Sequence, residues 1–176
     1  PGRRSPRPGA LEPLGPVTLA VGGCVGNTGI ALHRLGLRPS LVARVGDDPL
    51  GRLLADLVHD AVPGEGAHLR VVAGGMTSYS LITNRPGEDR AIQHFPGVND
   101  TFVADDVPDA LLLGAALLHV GYPPLMAALV ADDGEELRRL LGRARALGLL
   151  TSVDMASVDC RRGGDQLRWR SLLERT

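Results

Sequence analysis

The pattern of apolar and polar positions divides the chain into a leading stretch without a period and a body of strand-length and helix-length units. Residues 1–16 are rich in proline and arginine and carry no periodic apolar pattern, which predicts a disordered arm ahead of a domain over 17–176. VTLAV at 17–21 is a β-prone run, the glycines of GGCVGN supply a turn, and Thr28 to Leu35 has helical character. SLVARV at 40–45 predicts the next strand. Gly46-Asp47-Asp48-Pro49 ends it with a turn, a carboxylate suited to an N-cap and a proline suited to the first helical position. Leu50, Leu53, Leu54, Leu57 and Val58 then recur at helical spacing, an apolar stripe that would pack on a sheet. This β-α-β-α order implies a parallel sheet and an α/β fold class.

The middle of the chain changes period. Ser78 to Asn84 and Arg90 to Phe95 alternate residue by residue on either side of the polar connection Arg85-Pro86-Gly87-Glu88-Asp89, which predicts a β-hairpin within about 77–95. Alternation places Ser80 and Ile82 on one face of the first arm, and Arg90, Ile92 and His94 on one face of the second. Beyond PGVND the α/β rhythm returns. A helix is predicted near Pro108 to Leu113, a strand at 116–120, a helix from Glu135 to Leu147, a strand at 149–154 and a last helix over Gln166 to Leu173. No repeat of solenoid length is present, so the chain reads as one layered domain with an inserted hairpin.

Charge and composition narrow the functional classes. The 19 basic and 20 acidic side chains nearly cancel, so there is no broad positive field, and neither nucleic acid nor a membrane surface is an expected partner. Every basic residue is Arg, which excludes mechanisms that need a lysine amine from this sequence. Aromatic residues, at 3%, leave little material for stacking platforms. Cys24 and Cys160 form no metal or redox motif and read as reduced thiols of a cytoplasmic protein. No long apolar run or signal segment is present. The histidines show no HxxxH or HxH spacing, so no metal site is expected.

The segment Gly22-Gly23-Cys24-Val25-Gly26-Asn27 is where chemistry concentrates. Between a strand and a helix, backbone N–H groups and the positive end of the helix dipole favour an oxygen-rich ligand. The plainer alternative is that the glycines make the turn and Asn27 caps the helix. A dinucleotide fingerprint needs glycines at relative positions one, three and six. Position three is Cys24 counted from Gly22 and Val25 counted from Gly23, so that spacing fails. Asp47, about 20 residues further on, keeps a dinucleotide-binding oxidoreductase domain as a minor alternative.

Asn27, Gly36 and Gly46, within GGCVGN, LHRLGL and RVGDDPLGRLL, resemble the first signature of the ribokinase-like (PfkB) carbohydrate kinases. Val25 and Gly29 depart from that pattern. The resemblance continues through TSYSLITNRPGEDRAIQHFPGVND, which looks like the family's lid hairpin and its Gly-x-Asn turn, and on to about Asp154. It implies a parallel α/β sandwich, incomplete here, with a small β-sheet lid over a sugar. Carried over residue by residue, Gly22 and Gly23 would present backbone to sugar hydroxyls and the Asn27 carboxamide would bond them. Ser80, Ile82 and Ile92 would be lid contacts, although ordinary hairpin packing accounts for them as well. His94 shares their face.

The resemblance further implies a small-molecule sugar or nucleoside as partner, ATP and Mg as cofactors of a full-length kinase, and a homodimer through the lid hairpin. Where ribokinase has an acidic sugar contact after the strand matching ALLHV, this sequence reads Gly121-Tyr122-Pro123, which disfavours ribose. The family begins with a central strand and a sugar-binding aspartate ahead of the segment matching Val17 onward, and the Pro/Arg arm holds no aspartate. Phosphoryl transfer needs a base, an anion hole and a nucleotide pocket. The family carries these on an Asp-Thr-x-Gly-Ala-Gly-Asp run, whose nearest imitation here is Arg162-Gly163-Gly164-Asp165. The expectation is therefore an amino-terminal, sugar-binding half that is inactive alone, with no catalytic or cofactor residue assignable. A non-catalytic module that associates through the lid is the alternative.

Overall fold

A computed structural model describes residues 9, 11, 15–64, 66–84, 87, 89–155 and 169–170. The predicted arm and the last helix fall almost wholly outside them, as does the Arg162 to Asp165 run. A π-helical segment, Val25–Ile30, runs into α1 (Ala31–Arg34) and is followed by β1 (Leu41–Gly46), α2 (Pro49–Ala61) and β2 (Ala67–Val72). The hairpin β3 (Tyr79–Thr83) and β4 (Ala91–Phe95) comes next. Two short 3-10 turns lead to α3 (Asp109–Leu112), β5 (Leu117–Gly121), α4 (Ala127–Ala146) and β6 (Leu150–Asp154).

β1 and β2 pair in parallel, β5 and β6 pair in parallel, and β3 and β4 pair antiparallel. Helices cover both faces of β1. Leu41 lies in a cluster with Ile30, Val58 and Val62 from the first helical segments, whereas its neighbour Val42 packs on the other cluster, built around α4. That second cluster is the larger core, where Leu129, Leu137, Leu140 and Leu141 of α4 meet Val120 and Leu149. The predicted α/β class with a small hairpin therefore holds.

The cap reading holds in detail. Asp48 accepts the Gly51 N–H at 2.7 Å and Pro49 occupies the first helical turn, where its missing N–H costs nothing. Val58 is fully buried on the predicted α2 stripe, while Leu50 at its start stays exposed.

Four local expectations need correction. VTLAV forms no strand: it pairs with no described strand, and Val17 and Leu19 are exposed, because β-propensity without a neighbouring ladder cannot satisfy the backbone. Helical structure starts before Thr28, since the Gly26 N–H already donates to the Gly22 carbonyl at 3.0 Å. The Glu135 helix is extended back to Ala127 across a kink in which Asp132, Asp133 and Gly134 take left-handed backbone angles. β2 is an additional strand, AHLRVV, not anticipated above although Ala67, Leu69 and Val71 alternate with His68 and Arg70.

Candidate functional site

Parallel α/β sheets bind ligands at the carboxyl ends of their strands, and the glycine segment sits at such an end. Gly121, the last residue of β5, lies against Cys24 so closely that a Cβ on it would overlap the Cys24 Cβ. A Cβ on Gly26 would likewise overlap the Val21 carbonyl oxygen, so glycine there lets the incoming chain pass beneath the helical turn. Gly22 and Gly23 differ: both are exposed, and a side chain at either would meet nothing within 4 Å. Gly23 has φ +62, a backbone that favours glycine on conformational grounds alone.

Asn27 does not cap a helix. It lies inside the π-helical turn, whose N-cap, Cys24, makes no side-chain cap bond. π-turns within helices recur at functional sites because they redirect side chains. The Asn27 carboxamide is exposed and reaches the end of β5, its Nδ2 donating to the Tyr122 hydroxyl at 3.5 Å, the outer limit of such a bond.

Tyr122 stands out by its backbone. Its φ and ψ are 57° and 46°, left-handed for a bulky residue that precedes Pro123. A conformation of this kind costs about 1–3 kcal/mol and persists where the surroundings enforce it. Here the Tyr122 N–H donates to the Asp154 carbonyl at 2.7 Å, and the Tyr122 carbonyl accepts from Leu125 at 2.9 Å. The strand pattern offered no sign of this residue beyond its place in Gly-Tyr-Pro.

Cys24 is half-buried against Gly121. Burial raises its thiol above the usual range, and the Asp154 charge adds to this against a lowering hydrogen bond at the Gly121 backbone. A thiol so placed is protonated at neutral pH and a poor nucleophile. Asp47 is also committed, since its carboxylate accepts the Gly74 N–H at 3.0 Å and ties two turns together.

The hairpin presents its predicted face as a unit. Ser80 pairs with His94 and Ile82 with Ile92, and the Ser80 hydroxyl is 2.9 Å from His94 Nδ1. Ile82 and Ile92 are 56% and 53% exposed, so neither is covered by the body of the domain. On the opposite face, at the base of the ribbon, the Tyr79 and Phe95 rings stand 5.4 Å apart. Asn27 and Tyr122 thus meet, while Ser80, Ile82 and Ile92 form a separate open surface. An open groove of about 390 Å³ at β2, lined by His68, Arg70, Asp106 and Leu111 among others, involves none of these residues.

No protein-family profile matches the chain. Among curated proteins it is 31% identical over 110 residues to fructokinase-1 of Zea mays, covering 61% of this chain and 34% of that protein. It is 32% identical over 119 residues to 2-dehydro-3-deoxygluconokinase of Thermoproteus tenax, covering 64% of this chain and 35% of that protein. The chain is thus similar to sugar kinases of the ribokinase-like (PfkB) kind. Fructokinase from Xylella fastidiosa superposes with a TM-score of 0.66 at 23% identity, over 85% of this chain and 47% of that one. Its structure with bound ATP gives 0.65, again at 23% identity, over 80% and 42%. These likenesses show a ribokinase-type fold. The PfkB-like chain spans about a third of the curated relatives it matches and about half of the solved structures. No helix among the described residues is long and apolar enough to cross a membrane.

Proposed function

We propose that this chain is the sugar-binding half of an ATP-dependent carbohydrate kinase, acting in the cytoplasm and unable to turn over by itself. The observation that carries the reading is the exposed Asn27 carboxamide beside Tyr122, at the carboxyl end of the parallel β5–β6 pair and next to the open backbone of Gly22 and Gly23. A carboxamide offers a donor pair and an acceptor, which suits the vicinal hydroxyls of a polyol. In this proposal Gly22, Gly23 and Asn27 hold one side of the sugar, and Ser80, Ile82 and Ile92 close on the other when the ribbon moves inward.

The names of the relatives support a ketohexose such as fructose, or a sugar acid of the 2-dehydro-3-deoxygluconate kind, as the substrate class, and Gly121-Tyr122-Pro123 in place of an acidic contact disfavours ribose. ATP would be the phosphoryl donor. Magnesium would need a set of oxygen ligands, and the described residues bring no three carboxylate, imidazole or thiolate side chains together. Calorimetry of the 176-residue chain with fructose, 2-dehydro-3-deoxygluconate and ribose tests the binding half of the proposal. The expected result is weak but saturable binding of the first two that is lost in Asn27→Ala. A coupled ADP-release assay tests the inactivity, and robust turnover would sink it.

A second reading, association through the ribbon, is favoured by one observation. Ile82 and Ile92 are each more than half exposed on one face of a two-stranded sheet that by itself would be marginal in water. A homodimer through this surface would appear in sedimentation velocity, and a compact monomer at all concentrations would count against it.

A further inference from the structure

We infer that Tyr122 is a positioning residue, held in a strained backbone so that its phenol oxygen fixes the orientation of the Asn27 carboxamide for polyol binding. This rests on the reading of Asn27 as a sugar contact and deepens it. Two independent observations carry it. The first is the left-handed conformation of Tyr122, unfavourable for a residue with a Cβ and again for one that precedes a proline. Its N–H and carbonyl are both engaged, with Asp154 and Leu125, so the backbone cannot relax without breaking the continuation of the β5–β6 ladder or the turn that follows. Strain enforced from both sides is found where a side chain must be presented in one place.

The second is where the phenol goes. Its oxygen lies 3.5 Å from Asn27 Nδ2, across 95 residues of sequence. The two ends of a carboxamide are opposite in hydrogen-bonding character, and a free one can turn over. A phenol oxygen can accept from the amino end or donate to the carbonyl end, so the contact holds the carboxamide in one place and leaves its other end free for a ligand hydroxyl. Gly121 keeps this geometry close, since its missing Cβ lets β5 press against Cys24, three residues before Asn27.

The test compares the wild-type chain with Tyr122→Phe, Asn27→Ala, the double variant and Tyr122→Gly, using the Asn27 side-chain amide resonances, fructose calorimetry and thermal melting. Tyr122→Phe keeps the ring and loses only the oxygen. It should shift the Asn27 amide resonances, weaken fructose binding about fivefold, as loss of one net hydrogen bond does, and leave the melting temperature unchanged. The double variant should bind no more weakly than Asn27→Ala alone. Tyr122→Gly should melt higher than wild type, because its backbone is relieved, yet bind more weakly. If Tyr122→Phe leaves both resonances and affinity unchanged while Asn27→Ala loses binding, the positioning role is wrong and the sugar cradle stands. Losses that simply add in the double variant overturn it as well. A wild-type chain that binds no polyol at all overturns the cradle reading, and the role of Tyr122 falls with it.

Discussion

Thr77 donates its side-chain hydroxyl to the Asp48 carboxylate at 2.6 Å and its backbone N–H to the same carboxylate at 2.9 Å. The hydroxyl oxygen in turn accepts the Gly46 N–H at 2.9 Å. One carboxylate therefore caps α2 and anchors the chain two residues before the ribbon begins. The start of the ribbon is tied to the end of β1 through a side chain that is only 3% exposed.

Replacing Thr77 by Val, of similar shape, removes the donor to Asp48 and the acceptor for Gly46 in a buried setting. Chemical denaturation should show a loss of about 1–3 kcal/mol, with most of it recovered in Thr77→Ser. A loss within error of zero would mean that the network contributes nothing.

Acid should act through the same group. The Thr77 side-chain bond, followed by the Thr77 backbone bond, holds the Asp48 carboxyl below its ordinary value. A depressed folded-state pKa gives stability that is present above the unfolded value and is lost as pH falls through the folded one. The wild-type chain should therefore lose stability relative to Asp48→Asn as pH drops from about 5 toward 2. Parallel curves for the two proteins would contradict this.

Asp106 sits almost fully buried between Arg44 Nε at 2.8 Å and Arg70 Nη1 at 3.0 Å, and also accepts the Val103 N–H at 2.8 Å. Removing one partner of a buried pair leaves a charge uncompensated, so Asp106→Ala should cost about 3–5 kcal/mol. Arg70→Ala should cost far less, because that side chain is 62% exposed and screened by solvent. Urea titration of the two variants ranks them.

Cys24 should react slowly. In a Cys160→Ser background, labelling with a maleimide at neutral pH should run slower than for a free cysteine, because burial raises the thiol and lowers its thiolate fraction. Urea should restore the ordinary rate. Fast labelling of the folded chain would show that the loop over Cys24 opens readily.

Local chemistry was legible in particular places. Asp48 and Pro49 announced the start of α2, alternation from Ser78 onward announced the ribbon and which of its residues share a face, and Glu135 marked the main body of α4, whose residues 131–134 break its helical angles. The GGCVGN glycines marked a turn at a strand end, although not which of them faces open space. Gly26 and Gly121 are consumed by packing, while Gly22 and Gly23 are not. AHLRVV went unread although its apolar and polar residues alternate from Ala67 to Val71, and VTLAV was overread because a strand exists only beside another.

By itself, then, the sequence determined what depends on neighbours a few residues apart: period, cap, turn and the likeness to sugar kinases carried by Asn27 and the ribbon. The tertiary structure alone decided that Thr77 meets Asp48, that Arg44 meets Asp106, and that Tyr122, bent into a left-handed turn, meets Asn27. Those pairs lie 29 to 95 residues apart. Hydrogen bonds and ion pairs act only over a few ångströms, so such partners stay unwritten until the chain has folded.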